Sequence, residues 1–569
     1  MRRTLLALAA VAIAAAAGAP TAPAALEADR HDPKWGKLVE VQILGFNDFH
    51  GNLEPPTGSG GTIRVSNSPV AAVAAGGAEY LATHLKALEA DNRNTVTVSA
   101  GDAIGASPLL SGLFHDEPAI ESMNLMGVDL AGVGNHEFDE GKDELLRMQN
   151  GGCHPVDGCQ DGTPFHGSVF QYLAANVIDQ STKNPLLPAY EIRWFQGARV
   201  AFIGETLEGT PQIVTPAGVQ GLTFLDEADT VNMLVHRLKR WMGVRAIVVV
   251  LHEGGFQSGP TWLYNTCEGF GGPVVDIAER MDDEVDVVIS GHTHQPYLCD
   301  VDGKLVTSAS SFGRIVTDID LKLDRRTGDV VEKTMRNVIV TREVAKDPEQ
   351  TELIAHYNAI AGPIRDRVVG TATADLTRVE NVAGETSLGD VIADAQLAAT
   401  SRTDFGGAVV AFMNPGGIRA DILAGEVTYG ELFTTQPFGN TMIVKTCTGE
   451  QIDAALEQQW SLQSGGTERQ RILQVSEGFT YAYDKSLPLG SRIDIASIKI
   501  GGVPVGAATN YRVAANNFIM GGGDGFTTFT SCTNQLGGEI DVDVLARYFD
   551  ENSPPGVSPG PQNRITRLG

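Results

Sequence analysis

Basic residues are scarce in this sequence: 42 lysines and arginines stand against 70 aspartates and glutamates, a formal net charge of −28 over 569 residues. A polymeric nucleic acid is therefore not expected as a partner, because such binding leans on neutralising backbone phosphates. Also missing is an apolar run long enough to cross a bilayer, since the N-terminal one is short and has no stop-transfer flank. No cysteine follows that run, which speaks against a lipoprotein, and Pro561 to Gly569 is polar rather than a hydrophobic tail. No Cys-x-x-Cys pair occurs, so a thiolate zinc site is not expected either. There is no internal repeat, and nothing speaks to the oligomeric state.

What is present points out of the cell. Met1 to about Ala25 joins two arginines, a Leu/Ala/Val run and the small-residue end Ala22-Pro23-Ala24-Ala25, the pattern of a signal peptide over residues 1–25. The expectation is a secreted protein, exported by that signal, without a stable membrane anchor. Arg2-Arg3 lies too near the start to assign twin-arginine export. Six cysteines in an exported chain suggest disulfides. Proximity favours Cys153 with Cys159 and Cys267 with Cys299, leaving Cys447 with Cys532. An anionic small substrate of so acidic a protein needs a local positive source, and divalent metals provide one.

The length calls for two or more domains. Apolar strand-like runs at Leu38 to Phe46, Thr95 to Ser99, Val128 to Val133, Tyr172 to Val177, Ala198 to Ile203, Ala246 to Leu251 and Val285 to Ser290 alternate with helix-like stretches. The helical stretches are Pro69 to Asp91, broken at Gly76-Gly77, Glu117 to Met126, Glu140 to Gln149 and Asp226 to Met242. Lys304 to Val340 alternates like antiparallel β-structure. This order predicts a layered α/β domain. A charged helical stretch over 347–367 reads as a connector. Val368 to Leu568 then mixes helices (Leu388 to Thr400, Gly449 to Trp460) with strands (Ala408 to Phe412, Thr441 to Thr446, Tyr511 to Ala515), a second α/β domain. The Pro/Gly-rich tail Asn552 to Gln562 reads as surface coil.

Chemistry concentrates where the strand-like runs end: Asp48-x-His50, Gly101-Asp102, Asn135-His136, His252, and His292-x-His294. Loops at the C-terminal ends of strands carry the sites of α/β proteins. A lone histidine is more often structural than a ligand, and His84, His115, His154, His166, His236 and His356 are read so. Five of the chain's 12 histidines fall in these motifs, however, together with two aspartates and an asparagine. Such oxygen and imidazole donors suit Zn, Mn or similar divalent ions, and two adjacent ions can activate water and neutralise phosphate oxygens. Asp139, three residues after His136, can face it if the segment turns helical.

The order Asp-x-His, Gly-Asp, Gly-Asn-His-Glu, His, Gly-His-x-His resembles the calcineurin-like metallophosphoesterases. The strings LGFNDFHGNLE, GNHEFD and GHTH are similar to the secreted bacterial 5'-nucleotidase family within them. That likeness continues through Asn414-Pro415-Gly416-Gly417-Ile418-Arg419, Pro437-Phe438-Gly439-Asn440 and Gly521-Gly522-Gly523-Asp524-Gly525-Phe526. The resemblance implies an N-terminal four-layer α/β sandwich over 38–345, a linker helix over 346–367 and a C-terminal α/β substrate-binding domain over 368–569. It implies two divalent metal ions, Zn, Mn or Co. Asp48, His50, Asp102 and His294 would hold one, and Asp102, Asn135, His252 and His292 the other, with Asp102 bridging. His136 and Asp139 would form the catalytic dyad, and a metal-activated hydroxide would attack phosphorus.

Phe438 and Phe518 match the family's base-sandwiching aromatics, and stacking tolerates different bases. Without the resemblance both read as core residues. Arg378, Asn414, Arg419, Asn440 and Asp524 match positions that contact the nucleoside or its phosphate. Two positions depart: Val382 stands where the family commonly has Arg, and Ser387 where it has Asn. Because the metals and the base site lie on different domains, rotation about the connector is implied. The expected function is removal of phosphate from nucleotides, foremost nucleoside 5'-monophosphates. The alternatives are a UDP-sugar hydrolase, a 2',3'-cyclic-nucleotide phosphodiesterase/3'-nucleotidase, a sulfur-ester hydrolase on the same scaffold, or a non-catalytic nucleotide binder.

Overall fold

The computed structural model describes residues 37–66, 71–90, 92–214, 218–259, 261–462 and 468–569. The expected signal peptide lies outside them. Apolar residues run almost unbroken through β1 (Leu38–Phe46), and the strand is buried on both faces: Val39, Val41 and Ile43 face a second sheet, Leu44 and Phe46 face helices. Parallel strands covered on both sides are written in such continuous runs. Beside β1 lie the parallel strands β2 (Thr95–Ala100), β3 (Leu130–Gly132) and β4 (Gln171–Leu173).

The second sheet is built from β5 (Tyr190–Phe195), β6 (Ala198–Thr206), β7 (Ala246–His252), β8 (Val285–Ser290), β9 (Pro296–Val301) and β10 (Lys304–Ala309). Its order is β9-β10-β8-β7-β6-β5, with the four central strands parallel and both edges antiparallel. The chain then returns to the first sheet with antiparallel β11 (Ile315–Asp324) and β12 (Val330–Ile339), giving β12-β11-β1-β2-β3-β4.

Helices cover the outer faces. Against the first sheet lie α1 (Ala78–Glu89), α2 (Glu117–Met126) and α3 (Lys142–Asn150), and against the second α4 (Glu227–Arg237) and α5 (Pro273–Arg280). Between the sheets, Val98 and Leu130 meet Val200, Val248 and Ile289. The result is the expected four-layer α/β sandwich. The connector is α6 (Pro348–Arg365), capped by Asp347, whose carboxylate accepts the Glu349 and Gln350 amides. It buries Ile354, Tyr357 and Ala361 in the same core as α1 to α3.

In the second lobe, β13 (Val410–Met413), β14 (Thr441–Thr448), β15 (Gln474–Val475), β16 (Asn510–Asn516) and β17 (Thr533–Ile540) form a sheet of order β15-β13-β16-β14-β17. On one face pack α7 (Ser387–Thr400) and α8 (Asp541–Glu551). Trp460, Phe479, Tyr481 and Tyr483 build a core on the other. Cys153–Cys159, Cys267–Cys299 and Cys447–Cys532 are disulfide-bonded, with Cα separations of 4.7, 5.2 and 4.8 Å.

Three local expectations need correction. Pro69, Val70 and Asp91 lie outside the described residues, and within the rest of that stretch the helix begins only at Ala78: Ala72–Ala74 is a strand paired with Thr62–Arg64, and Gly76 and Gly77, at φ 87° and 104°, leave helical space between them. Tyr172 to Val177 is not one strand. Gln171–Leu173 and Val177–Asp179 are separated where Asn176 turns its amide to Thr206 and Leu225, replacing ladder bonds with side-chain ones. Lys304 to Val340 is not wholly antiparallel, because β10 pairs parallel with β8. Asn552 to Gln562 has neither helix nor strand, as expected.

Candidate functional site

Five motifs meet at one edge of the sandwich because five parallel strands end there. Asp48 and His50 follow β1, Asp102 follows β2, Asn135 and His136 follow β3, His252 is the last residue of β7, and His292 and His294 follow β8. Asp48, His50, Asp102, His292 and His294 all have left-handed backbones, φ between 46° and 69°. Such conformations are costly outside glycine and collect at functional sites. Here they turn side chains from separate loops inward.

Glu137 locks two of those loops together. Its buried carboxylate accepts the amides of Asp102 at 3.0 Å, Ala103 at 2.8 Å and Gly134 at 2.6 Å. Burial, reinforced by Asp102, pushes its pKa up to about 7. Sequence reasoning assigned Glu137 no role, although its place in the Gly-Asn-His-Glu string was the available signal.

The imidazoles are aimed by backbone carbonyls. Gly105 O accepts from His50 Nδ1 and Ala100 O from His252 Nδ1, both at 2.7 Å, so each Nε2 turns a lone pair inward. His50 Nε2 then lies 3.1 Å from His294 Nε2. His252 Nε2, fully buried, makes no hydrogen bond although Asp102 Oδ2 is 3.0 Å away. Ring nitrogens and a carboxylate oxygen gathered this closely suit a shared cation. Asp102 Oδ2 is also 3.7 Å from His50 Nε2, placing that oxygen between both halves of the cluster. Asp48 Oδ1 is 3.3 Å from His294 Nε2, and His292 Nδ1 is 2.9 Å from Asn135 Oδ1.

The electrostatics agree. Burial, then the nearby His252, holds His292 down at about 3, a neutral imidazole ready to ligate. At His252 burial is overcome by Asp102, which draws it up to about 10: positive charge is demanded at this point. Chemically and geometrically, these seven donors fit divalent metal ions.

His136 stands beside the cluster. Its Nδ1 is 2.7 Å from Asp139 Oδ2, and its amide donates to Asp102 Oδ1 at 2.9 Å. Burial favours its neutral form, but Asp139 and Asp102 outweigh burial and raise its pKa. Next to it opens a cavity of about 250 Å³ between the two lobes. Asn135, His136, Asp139 and His292 line one side, and Asn414, Arg419, Phe438, Asn440, Phe518 and Asp524 the other. Asn414 Nδ2 donates to Asp524 Oδ2 at 3.0 Å, and Arg419 lies over the Phe438 ring with its guanidinium carbon 5.9 Å from the centroid.

The family profile described as calcineurin-like phosphoesterase matches residues 41–296, and that described as 5'-nucleotidase, C-terminal domain, matches residues 368–531. Cell wall protein Lmo0130 of Listeria monocytogenes is 32% identical over 553 residues, which cover 91% of this chain and 68% of that one. The chain belongs to the calcineurin-like phosphoesterases that carry a C-terminal 5'-nucleotidase domain. This is a family of metal-dependent phosphoester hydrolases. Endonuclease YhcR of Bacillus subtilis is 35% identical over 482 residues, 84% of this chain but 37% of that longer protein. The crystal structure of a 5'-nucleotidase precursor from Thermus thermophilus superposes with a TM-score of 0.75 at 27% identity, covering 93% of this chain and 99% of that one.

Against this 5'-nucleotidase architecture the residue-level expectations can be placed. Arg378 Nε donates to Asp421 Oδ1 at 3.1 Å on a partly exposed surface, near enough to Arg419 for the two cations to repel. Val382 is 87% exposed, and Ser387 Oγ accepts the Thr377 amide, so neither departure lines the cavity. Ile213, Val214, Arg469 and Arg471 do line it and were not foreseen. The two arginines sit among mixed polar residues with no motif to mark them. Among the described residues no helix is long and apolar enough to cross a membrane.

Proposed function

We propose that the chain is an exported, dinuclear phosphohydrolase that releases phosphate from nucleotides, foremost nucleoside 5'-monophosphates. The observation that carries this reading is a shared cavity whose wall holds both His136 and the Phe438/Phe518 pair. That puts the proposed reactive residue and two aromatic rings on the wall of one cavity. A non-catalytic binder would have no use for the His136–Asp139 pair. Export rests on the leader-like residues 1–25. On this reading the catalytic unit spans 38–345, the helical connector 346–367 and the substrate-binding unit 368–569.

Asp48, His50, Asp102 and His294 would hold one divalent ion, and Asp102, Asn135, His252 and His292 a second, with Zn, Mn or Co matching the donors. Bound there, such ions supply Lewis acidity and a nucleophilic water at neutral pH. The chain's own residues do the rest. Asp139 accepts from His136 Nδ1 and keeps the ring cationic, so Nε2–H can donate to the phosphoryl oxygen or the departing alkoxide. Arg419 neutralises the phosphate from the opposite wall. Phe438 and Phe518 stack on the base, while Asn414, Asn440 and Asp524 hydrogen-bond the nucleoside. Closure of the two lobes keeps bulk water from the reacting phosphate.

The test is phosphate release from AMP, UMP, ATP, UDP-glucose and 2',3'-cyclic AMP by chelator-treated protein restored with Zn, Mn or Co. Metal-dependent release, fastest from the monophosphates, is the expected result. Nucleotide binding without release would leave only a binding protein.

A further inference from the structure

Asp116 stands directly before α2, where an aspartate ordinarily caps the helix by accepting an amide of its first turn. Its side chain does not cap. The backbone there is left-handed, φ 61°, a conformation that is costly outside glycine and collects at functional sites. The buried carboxylate turns away from the helix: Oδ2 accepts the Gly105 amide at 2.8 Å, and Oδ1 accepts from Ser111 Oγ at 2.6 Å. A helix cap is given up to hold a loop.

That loop lies between the two parts of the candidate site. Gly105 O accepts from His50 Nδ1 at 2.7 Å, so the position of residue 105 sets where His50 Nε2 points. On its other side Gly105 presses on the dyad: a Cβ there would stand 2.8 Å from His136 Cβ and 2.9 Å from Asp139 Oδ2. Gly105 and Ala106 both have left-handed backbones, φ 75° and 50°, and a loop so bent keeps its shape only while its surroundings hold it. Glu137 holds one end through the Asp102 and Ala103 amides, and Asp116 holds the other. Ser111, the second partner of Asp116, packs on Gly51, the residue after His50, where a Cβ would meet Ser111 Oγ at 2.6 Å.

Taking the metal and dyad assignments proposed above, we infer that Asp116 is a positioning residue for phosphoester hydrolysis: by fixing Gly105 it aims His50 at the metal position and backs the His136–Asp139 pair. Asp116 lines no part of the cavity, so it acts through Gly105. The bond that matters is the one to the Gly105 amide, which a neutral acceptor oxygen can also make. The negative charge is not required. The Ser111 hydroxyl fixes the rotation of the carboxylate and is secondary.

The test measures turnover of AMP and p-nitrophenyl phosphate, zinc content under chelator competition, and the thermal midpoint, in the full chain and its variants. In Asp116→Ala the affinity for one of the two ions should fall by roughly 10- to 100-fold and kcat by the same order on both substrates, the usual cost of losing a group that orients a ligand. KM for AMP should stay near wild type, because the aromatic wall is untouched. Asp116→Asn, whose amide oxygen can accept from Gly105 and whose Nδ2 can donate to Ser111 Oγ, should keep both ion and rate. Ser111→Ala should lower the thermal midpoint and change neither. An Asp116→Ala protein with a lower midpoint but wild-type ion affinity and full kcat per folded molecule would make Asp116 structural only and overturn the inference. So would equal losses in Asp116→Asn, which would assign the effect to charge, or in Ser111→Ala, which would assign it to the hydroxyl. Should Asp116→Ala not fold, Asp116→Glu, one methylene longer and still an acceptor, must displace Gly105 and show the same losses; wild-type behaviour there overturns the inference. Hydrolysis of p-nitrophenyl phosphate but not of AMP overturns the nucleotidase reading alone, because the ion and rate comparisons on p-nitrophenyl phosphate still decide the role of Asp116. Hydrolysis of neither ester by the metal-loaded wild type overturns both.

Discussion

His136 and Phe438 stack face to face across the two lobes, ring centroids 5.6 Å apart and planes inclined by 17°. Phe438 thus packs against His136 as well as lining the cavity proposed to take the base. Phe438→Ala combined with Phe518→Ala should raise KM for AMP by at least roughly tenfold, since base stacking contributes about 1–3 kcal/mol per base. For p-nitrophenyl phosphate, which carries no base, the change should be much smaller. Equal losses on both substrates would remove the two rings from base recognition.

Loss of the imidazole itself is a separate matter. His136→Ala should leave bound metal, measured by elemental analysis, close to wild type, because its ring adds little to the seven donors. Turnover should fall by roughly 10²- to 10⁴-fold, as for removal of a general acid. The loss should be smaller with p-nitrophenyl phosphate, whose leaving group needs little protonation. Asp139→Asn should lower kcat and move the alkaline limb of the pH profile to lower pH, because the carboxylate is what raises the His136 pKa against burial.

A second histidine makes stability depend on pH. His115 Nδ1 is 2.7 Å from Glu140 Oε2, and Nε2 is 2.9 Å from Asp157 Oδ2. Burial lowers its pKa, but the two carboxylates prevail and raise it to about 9. A histidine whose folded pKa lies above its unfolded value of 6.5 stabilises the fold fully below that value. The stabilisation is lost as pH rises through about 9. Both carboxylates are solvent-exposed, so screening reduces the contribution to about 1–2 kcal/mol. The thermal midpoint should therefore drop between pH 6.5 and 9 in the wild type and drop less in His115→Gln. Parallel curves for the two proteins would show that the pairs contribute nothing.

How far these relationships could be read from the sequence depended on how local they are. β7 and β8 were plain as apolar runs because strands covered on both faces need nothing else. The ligand-type residues were legible because each occupies the turn directly after such a run. The break at Asn176 was not, since it is made by hydrogen bonds to residues 30 and 49 positions away. Glu137 stood in view without a role, because only the folded loops bring the Asp102 and Gly134 amides to its carboxylate. Arg471 reaches Asp524 through tertiary packing, and Arg469 reaches the cavity wall in the same way; neither outcome leaves a trace in spacing.

Gly134 puts the closeness of the metal-type loops to a direct test. A Cβ at this position would lie 2.2 Å from Asp102 Oδ1, 2.7 Å from Asp102 N and 2.8 Å from His252 Cε1. The backbone amide among these contacts cannot swing away as a flexible side chain could, and the Glu137 carboxylate fixes both loops. Gly134→Ala must therefore displace Asp102, the oxygen donor shared by both halves of the cluster, while leaving the hydrophobic layers untouched. Metal content should fall and turnover of p-nitrophenyl phosphate should drop by at least roughly 10²-fold, the scale on which small misplacements act. Far-ultraviolet circular dichroism should remain that of the wild type. Gly271→Ala is the matched control, because its added methyl would meet no atom within 4 Å. Full activity in Gly134→Ala would mean that the loops stand further apart than the structure places them, and that Asp102 has room to serve the cluster from elsewhere.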